Sequence, residues 1–396
     1  MDKILNKFKS RANVLIFLVI IFLLRITILI RMRDSSSFTS LDVYNLIQIG
    51  SIAVLIVFLS KFKKLFMGLK NQSINYFILI YIIGMFSGLW SENFFYSTYR
   101  ALEAYILFMA CLSILNYYSF DFITIEKVFL RLLFIIGLLS LIGLLARRST
   151  LSLELLHNNS YPITGAILAS YCFGCLLDVK HYQNRKKILK RYLAFGLFLV
   201  ILGTSLGSFL SFGIAVSLIV MFSSKKNKNF LLILISIFIL TAVAFVNAGF
   251  ILELILINKD VEELEGLNGR TRLWEMYLEM IYEKPFFGWG FDIIARSADF
   301  YTTNTHFFLI SILGGMGLLG ITVFFVGFFK LIKELFTYLK YKLPSYLGFI
   351  GALAAAFVNG GSKGYIGEHI YPESLSFFLL ICFFSLSYQK IYVNAK

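Results

Sequence analysis

Residues 192–222 read YLAFGLFLVILGTSLGSFLSFGIAVSLIVMF, an apolar run of about thirty residues interrupted once, at Gly203, Thr204, Ser205, Leu206, Gly207 and Ser208. One membrane helix needs about 20 mostly apolar residues, so the run is too long for one span. It suits two short spans joined by a tight turn, which this small and polar hexamer supplies. Under the same length criterion, apolar runs recur near 13–30, 43–59, 76–90, 101–118, 129–146, 161–178, 192–204, 207–223, 229–248, 306–328, 344–360 and 372–389. The expected architecture is an all-α polytopic membrane protein of about twelve helices.

Loop charges test that count independently, because Lys and Arg accumulate on the cytoplasmic side of a membrane protein. With both termini cytoplasmic, the inner segments hold 25 Lys and Arg and the outer ones 11, with Arg25 inside the first run. Without the turn at 203–208, the cluster Lys225, Lys226 and Lys228 moves outside and the alternation breaks. The same topology puts residues 249–305 in one large extracytoplasmic loop. No internal repeat or linker divides the chain, so 1–396 reads as a single membrane domain.

Composition excludes other classes. Of 396 residues, 59% are hydrophobic and 15% charged, more apolar side chain than a soluble core of this size could hide. The net charge of +15 is spread in short clusters between apolar runs, a topology signal and no nucleic-acid surface. Met1 to Arg11 leads directly into the first apolar run, without a small-residue cleavage site, so no leader is expected to be removed. All four cysteines fall inside expected spans; Cys172 and Cys175 lack the second pair that a zinc site needs and read as small apolar filler.

Chemistry is expected in the loop, where the polar residues concentrate. From Gly269 to Glu283 the pattern is helical: Leu273, Trp274, Tyr277, Met280 and Ile281 share a face, with Glu275, Glu279 and Glu283 opposite. This predicts an amphipathic helix lying on the outer bilayer surface, capped by Asn268 and ended by Pro285. Its first turn holds Arg270 and Arg272, cations at the end of a helix that favours anions. Two guanidiniums beside unpaired backbone N–H groups form a cradle for pyrophosphate; pairing with Asp260, Glu262, Glu263 or Glu265, or with lipid phosphate, is the alternative. His306 follows Thr302, Thr303, Asn304 and Thr305, which places it in the first turn of the tenth span. There the helix end disfavours imidazolium, leaving a neutral ring able to accept a proton from a sugar hydroxyl, or a hydrogen-bonded anchor. Gly314, Gly315, Gly317 and Gly320 read as a close-packing signal between helices.

Other polar residues on the same expected side are scattered. Arg100 and Glu103 stand one turn apart at the mouth of the fourth span and can pair. Asn159 ends the loop before the sixth span, and Lys363, Glu368, His369 and Glu373 lie in or beside the last external loop. No compact acidic cluster near the large loop has metal-ligand spacing, so no metal is expected.

These motifs resemble the O-antigen ligase and Wzy-type polymerase superfamily of bacterial surface polysaccharide synthesis. The resemblance rests on Arg270 with Trp274, then Lys284-Pro285-Phe286-Phe287-Gly288-Trp289-Gly290, then His306 and the following glycines. It rests also on Gly88-Leu89-Trp90-Ser91 leading to Arg100, and on Thr204-Ser205-Leu206-Gly207. Phe307 after the histidine and Leu206 after the serine depart from the family pattern, and the second removes one potential phosphate ligand from the turn.

The resemblance implies a metal- and cofactor-independent glycosyltransferase of the cytoplasmic (inner) membrane that uses an undecaprenyl pyrophosphate-linked oligosaccharide. It would elongate capsule or O-antigen repeat units as a polymerase, alongside a chain-length regulator and a flippase. A ligase acting on another acceptor, or in a different class a flippase or transporter, are the alternatives. His306 and Arg270 are the expected catalytic residues, with Arg272, Arg100, Asn159 and Trp274 binding the pyrophosphate and glycan.

Overall fold

The computed structural model describes residues 43–60, 72–118, 121–146, 160–203, 205–223, 270–294, 305–361, 363–368 and 370–393. Within them the chain is α-helical and has no strand. The longer helices are α1 (Val43–Ser60), α2 (Ile74–Phe86), α3 (Phe94–Tyr117), α4 (Phe122–Ala146), α5 (Ser160–Leu177), α6 (Lys186–Leu202) and α7 (Leu206–Phe222). Within the expected external loop lies α8 (Arg270–Glu283), and after it come α9 (Phe308–Tyr341), α10 (Tyr346–Gly360) and α11 (Pro372–Tyr388). The apolar runs expected at 13–30 and 229–248, and most of the large loop, lie outside the described residues.

Four of these stretches are long and apolar enough to cross a membrane: Phe94–Tyr117, Ser160–Leu177, Phe308–Tyr341 and Pro372–Ile391. Shorter apolar helices include Leu206–Phe222 and Tyr346–Gly360. The long apolar run does divide, α6 ending at Leu202 and α7 starting at Leu206.

Helix α5 packs against α4, α6, α7, α10 and α11 and is buried over most of its length. Its glycines permit this. A Cβ on Gly165 would lie 2.7 Å from the Gly196 carbonyl oxygen, so α5 and α6 meet backbone to backbone. Aromatic rings fill the wider gaps edge to face, as in Phe108 on Phe378 at 4.8 Å and Phe129 on Tyr171 at 5.4 Å.

Two buried carboxylates inside the bundle are paired, as a low dielectric demands. At the end where α4 starts and α5 finishes, buried Glu126 accepts from Tyr171 and Tyr182 at 2.5 Å each and from Ser345 at 3.0 Å, and forms an ion pair with Arg185. Glu334 of α9 accepts from Ser73 N at 2.9 Å and Ser73 Oγ at 2.5 Å, placing a carboxylate at the start of α2. Lys186, Lys187, Lys190, Arg191, Lys330, Lys333 and Lys340 lie at this same end of their helices. The opposite end gathers the C-terminal ends of α2 and α10 and the N-terminal ends of α3, α9 and α11.

Candidate functional site

At that opposite end α8 runs from Arg270 to Glu283 and stops before Pro285, as expected. Its apolar face does not lie on a lipid surface. Tyr277 and Ile281 are buried against Ile294 and Ile310, with Leu273, Trp274, Met280, Trp289, Phe307 and Leu313 around them, so the helix is docked on the protein. Glu275 and Glu279 face outward. The correction follows from tertiary contact: a stripe of this width is satisfied equally by lipid or by α9.

After α8 the segment 284–292 is held by a break in α9. The backbone departs from helical geometry at Gly317 (φ 62°, ψ −158°), freeing peptide groups that a regular helix would use internally. The incoming segment takes them up. Trp289 N donates to Gly314 O at 2.8 Å and Gly290 N to Gly315 O at 2.9 Å. Leu318 N in turn donates to Pro285 O at 2.8 Å and Leu319 N to Phe286 O at 3.3 Å. Gly288 takes φ 72°, and a Cβ there would lie 2.6 Å from Gly314 O. The glycines of α9 thus receive this segment through backbone hydrogen bonds, a role beyond close helix packing.

The chain's three tryptophans fasten the same region. Trp289 Nε1 donates to Met280 O at 2.8 Å, Trp90 Nε1 to Phe287 O at 2.8 Å and Trp274 Nε1 to Thr305 O at 3.0 Å. Ser87 Oγ accepts from Phe291 N at 2.8 Å, joining the 3-10 turn Ser87–Trp90 to the segment. Trp274→Phe keeps most of the ring and leaves the Thr305 carbonyl without the indole donor, a loss of about 1 kcal/mol. Hydrogen exchange over residues 271–277 is then expected to be roughly fivefold faster than in the wild type; an unchanged rate would show that the contact contributes nothing.

Asp292, at φ 59°, accepts from Tyr96 Oη at 2.7 Å, and Arg100 lies 5.2 Å from the Tyr96 ring. Arg100 Nη1 also bonds Glu103 Oε2 at 2.9 Å, the pairing that their spacing allowed. The pair with Glu103 orients the Arg100 guanidinium along this wall of the site.

His306 stands two residues before α9 rather than in its first turn, at φ 58° and half-buried. Its neighbour Thr305 is held by Glu368, whose Oε1 accepts from Thr305 N at 2.9 Å, Thr305 Oγ1 at 2.5 Å and Ser311 Oγ at 2.6 Å. Lys363 pairs with buried Glu373 at 2.6 Å. Glu368 and Glu373 are therefore inside the protein and are not solvated loop charges.

Trp274, His306 and Thr305 come together, and Asp292 links Tyr96 of the Arg100 turn to the same end. The side chains of Arg270 and Arg272, and Asn159, Asn268, Thr302, Thr303 and Asn304 entirely, lie outside the described residues; the backbone of α8 begins at Arg270, one turn before Trp274. The pattern of the sequence did not single out Asp292 or Tyr96, and it named Glu368 only as one of several polar residues of the last external loop. The available signal was the pair Gly364 and Gly367 just ahead of the Glu368 carboxylate in a short loop.

Residues 192–325 match the family model described as O-antigen ligase. The match takes in α6 from Tyr192, α7, α8, the docked segment and the first half of α9, and agrees with the superfamily that the motifs resemble. No curated protein matches the chain significantly.

Proposed function

We propose that this all-α membrane protein, matching the O-antigen ligase family over 192–325, is an inner-membrane glycosyltransferase that elongates a lipid-linked surface glycan. Its donor is an undecaprenyl pyrophosphate-linked saccharide and its site is the end of the bundle that carries α8 and the Thr305–His306 turn. One observation supports the reading most: Trp274, one turn into α8, donates to the carbonyl oxygen of Thr305, the residue before His306. The basic residues at the far end support an outward-facing site, since such clusters mark the cytoplasmic side.

The reaction is displacement at the anomeric carbon. The acceptor hydroxyl passes its proton to the His306 imidazole as its oxygen forms the new glycosidic bond. The bond from that carbon to the pyrophosphate oxygen breaks, and the electron pair leaves on the polyprenyl pyrophosphate. Arg270 and Arg272, with the N-terminal N–H groups of α8, stabilise the departing charge. Arg100, Asn159 and Trp274 hold the saccharide and phosphate, and a chain-length regulator and a flippase of the same pathway are the expected partners.

A second reading, favoured by the description of the matched family, is a ligase that moves a finished glycan to a different acceptor. Purified protein given only a lipid pyrophosphate oligosaccharide is expected to yield a ladder of longer lipid-linked products. A single product formed only when a second acceptor is added replaces the polymerase by the ligase, and no transfer with either sinks both.

A further inference from the structure

We infer that Glu368 is a positioning residue for the reaction proposed above, holding the Thr305–His306 turn against the start of α9 through Thr305 and Ser311. The inference rests on that reading for its reaction and on geometry for the anchor. Three donors converge on Oε1, while Oε2 is buried without a hydrogen-bond partner among the described residues. The loop is shaped to seat this carboxyl. A Cβ on Gly364 would lie 2.5 Å from Glu368 Cδ, and Gly367 takes φ 85° where a Cβ would lie 3.0 Å from Ile312. A side chain 2% exposed in an expected external loop, tied to the residue before the candidate base, has a task that solvation does not explain.

Burial, only partly opposed by the bonds from Ser311 and Thr305, raises the carboxyl to about 7, and Asp292 adds to the rise. Of the other nearby charges, Asp292 accepts from Tyr96, Lys363 pairs with Glu373 and Arg100 with Glu103, Glu275 and Glu279 of α8 face outward, and His306 sits on the turn itself. The sign follows from linkage. A folded value above the ordinary carboxylate value means that the closed turn favours the protonated acid, so its stabilisation is present at acid pH and lost as pH rises through about 7. Ionisation of Glu368 then loosens the turn and displaces His306.

Two variants separate positioning from bulk stability. Glu368→Gln keeps an oxygen for the three donors and cannot ionise, whereas Glu368→Ala removes the anchor. With a lipid pyrophosphate oligosaccharide, wild-type kcat is expected to decline to a lower plateau as pH rises through about 7, and the Gln variant to lose that decline. The Ala variant is expected to lose at least about tenfold in kcat with KM changed less than about threefold. An alkaline limb that persists in the Gln variant, or a wild-type kcat in the Ala variant, overturns the inference.

A substrate-free readout keeps this test apart from that of the function. Carbethoxylation of His306, followed by mass spectrometry and normalised to a free imidazole, is expected to accelerate severalfold as wild type passes about pH 7, and not in Glu368→Gln. Should this difference appear in protein that transfers no saccharide, the positioning stands and the proposed reaction falls. Equal profiles in the two proteins sink the positioning even if transfer is observed.

Discussion

His306→Asn is expected to reduce saccharide transfer by about 10²- to 10⁴-fold, the usual contribution of a positioned general base. Asparagine is the informative replacement because position 306 has φ 58°, a left-handed conformation that Asn tolerates better than Ala. The variant should therefore retain the wild-type melting temperature to within a few degrees while losing turnover. Arg270→Lys tests the other pole of the same reaction. It preserves the charge at the start of α8 and removes the planar fork that grips two phosphate oxygens, so a loss of about tenfold or more is expected. Turnover near wild type in either folded variant removes that residue from the proposed mechanism.

The second large effect concerns the break in α9. A Cβ at Gly317 would lie 2.3 Å from the carbonyl carbon and oxygen of Phe286 and 2.5 Å from Phe287 N, and the backbone there is at φ 62°. Backbone at positive φ with ψ near −158° is essentially confined to glycine, and a side chain there costs about 1–3 kcal/mol. Overpacking against backbone, which has no flexible end to yield, adds about 1–3 kcal/mol. Gly317→Ala is thus expected to lower the melting temperature by several degrees and to open residues 284–292 to protease. The control is Gly50→Ala in α1, where a Cβ meets nothing within 4 Å and alanine favours the helix. Equal stability of the two variants would show that the docked segment is not held by the break.

Both tests bear on segments whose chemistry is legible in the primary structure to different degrees. The amphipathic stripe of α8 is plain from the spacing of Leu273, Trp274, Tyr277, Met280 and Ile281, and its end is plain from Pro285. What the stripe covers is not, because periodicity reports that a face is apolar without naming its partner. Likewise the glycines after His306 announce close approach. They do not reveal that the approaching object is the backbone of residues 285–290.

Asp292 and Glu368 were hidden for a related reason. A lone carboxylate in a loop has the same local signature whether water or Thr305 solvates it. Arg100 and Glu103 show the reverse, since a spacing of three residues on one helix predicts their ion pair without any tertiary information.

The order of residues alone thus determined an all-helical membrane protein, the division of the run at 192–222 and the extent of α8, because span length, helical period and turn chemistry are local properties. Tertiary structure alone decided that α8 docks on α9 instead of lipid, that Gly317 opens that helix to the segment before it, and that Glu368 reaches Thr305. These contacts join positions tens of residues apart, and the free energy that selects them comes from burial and hydrogen bonding between elements, which no local pattern records.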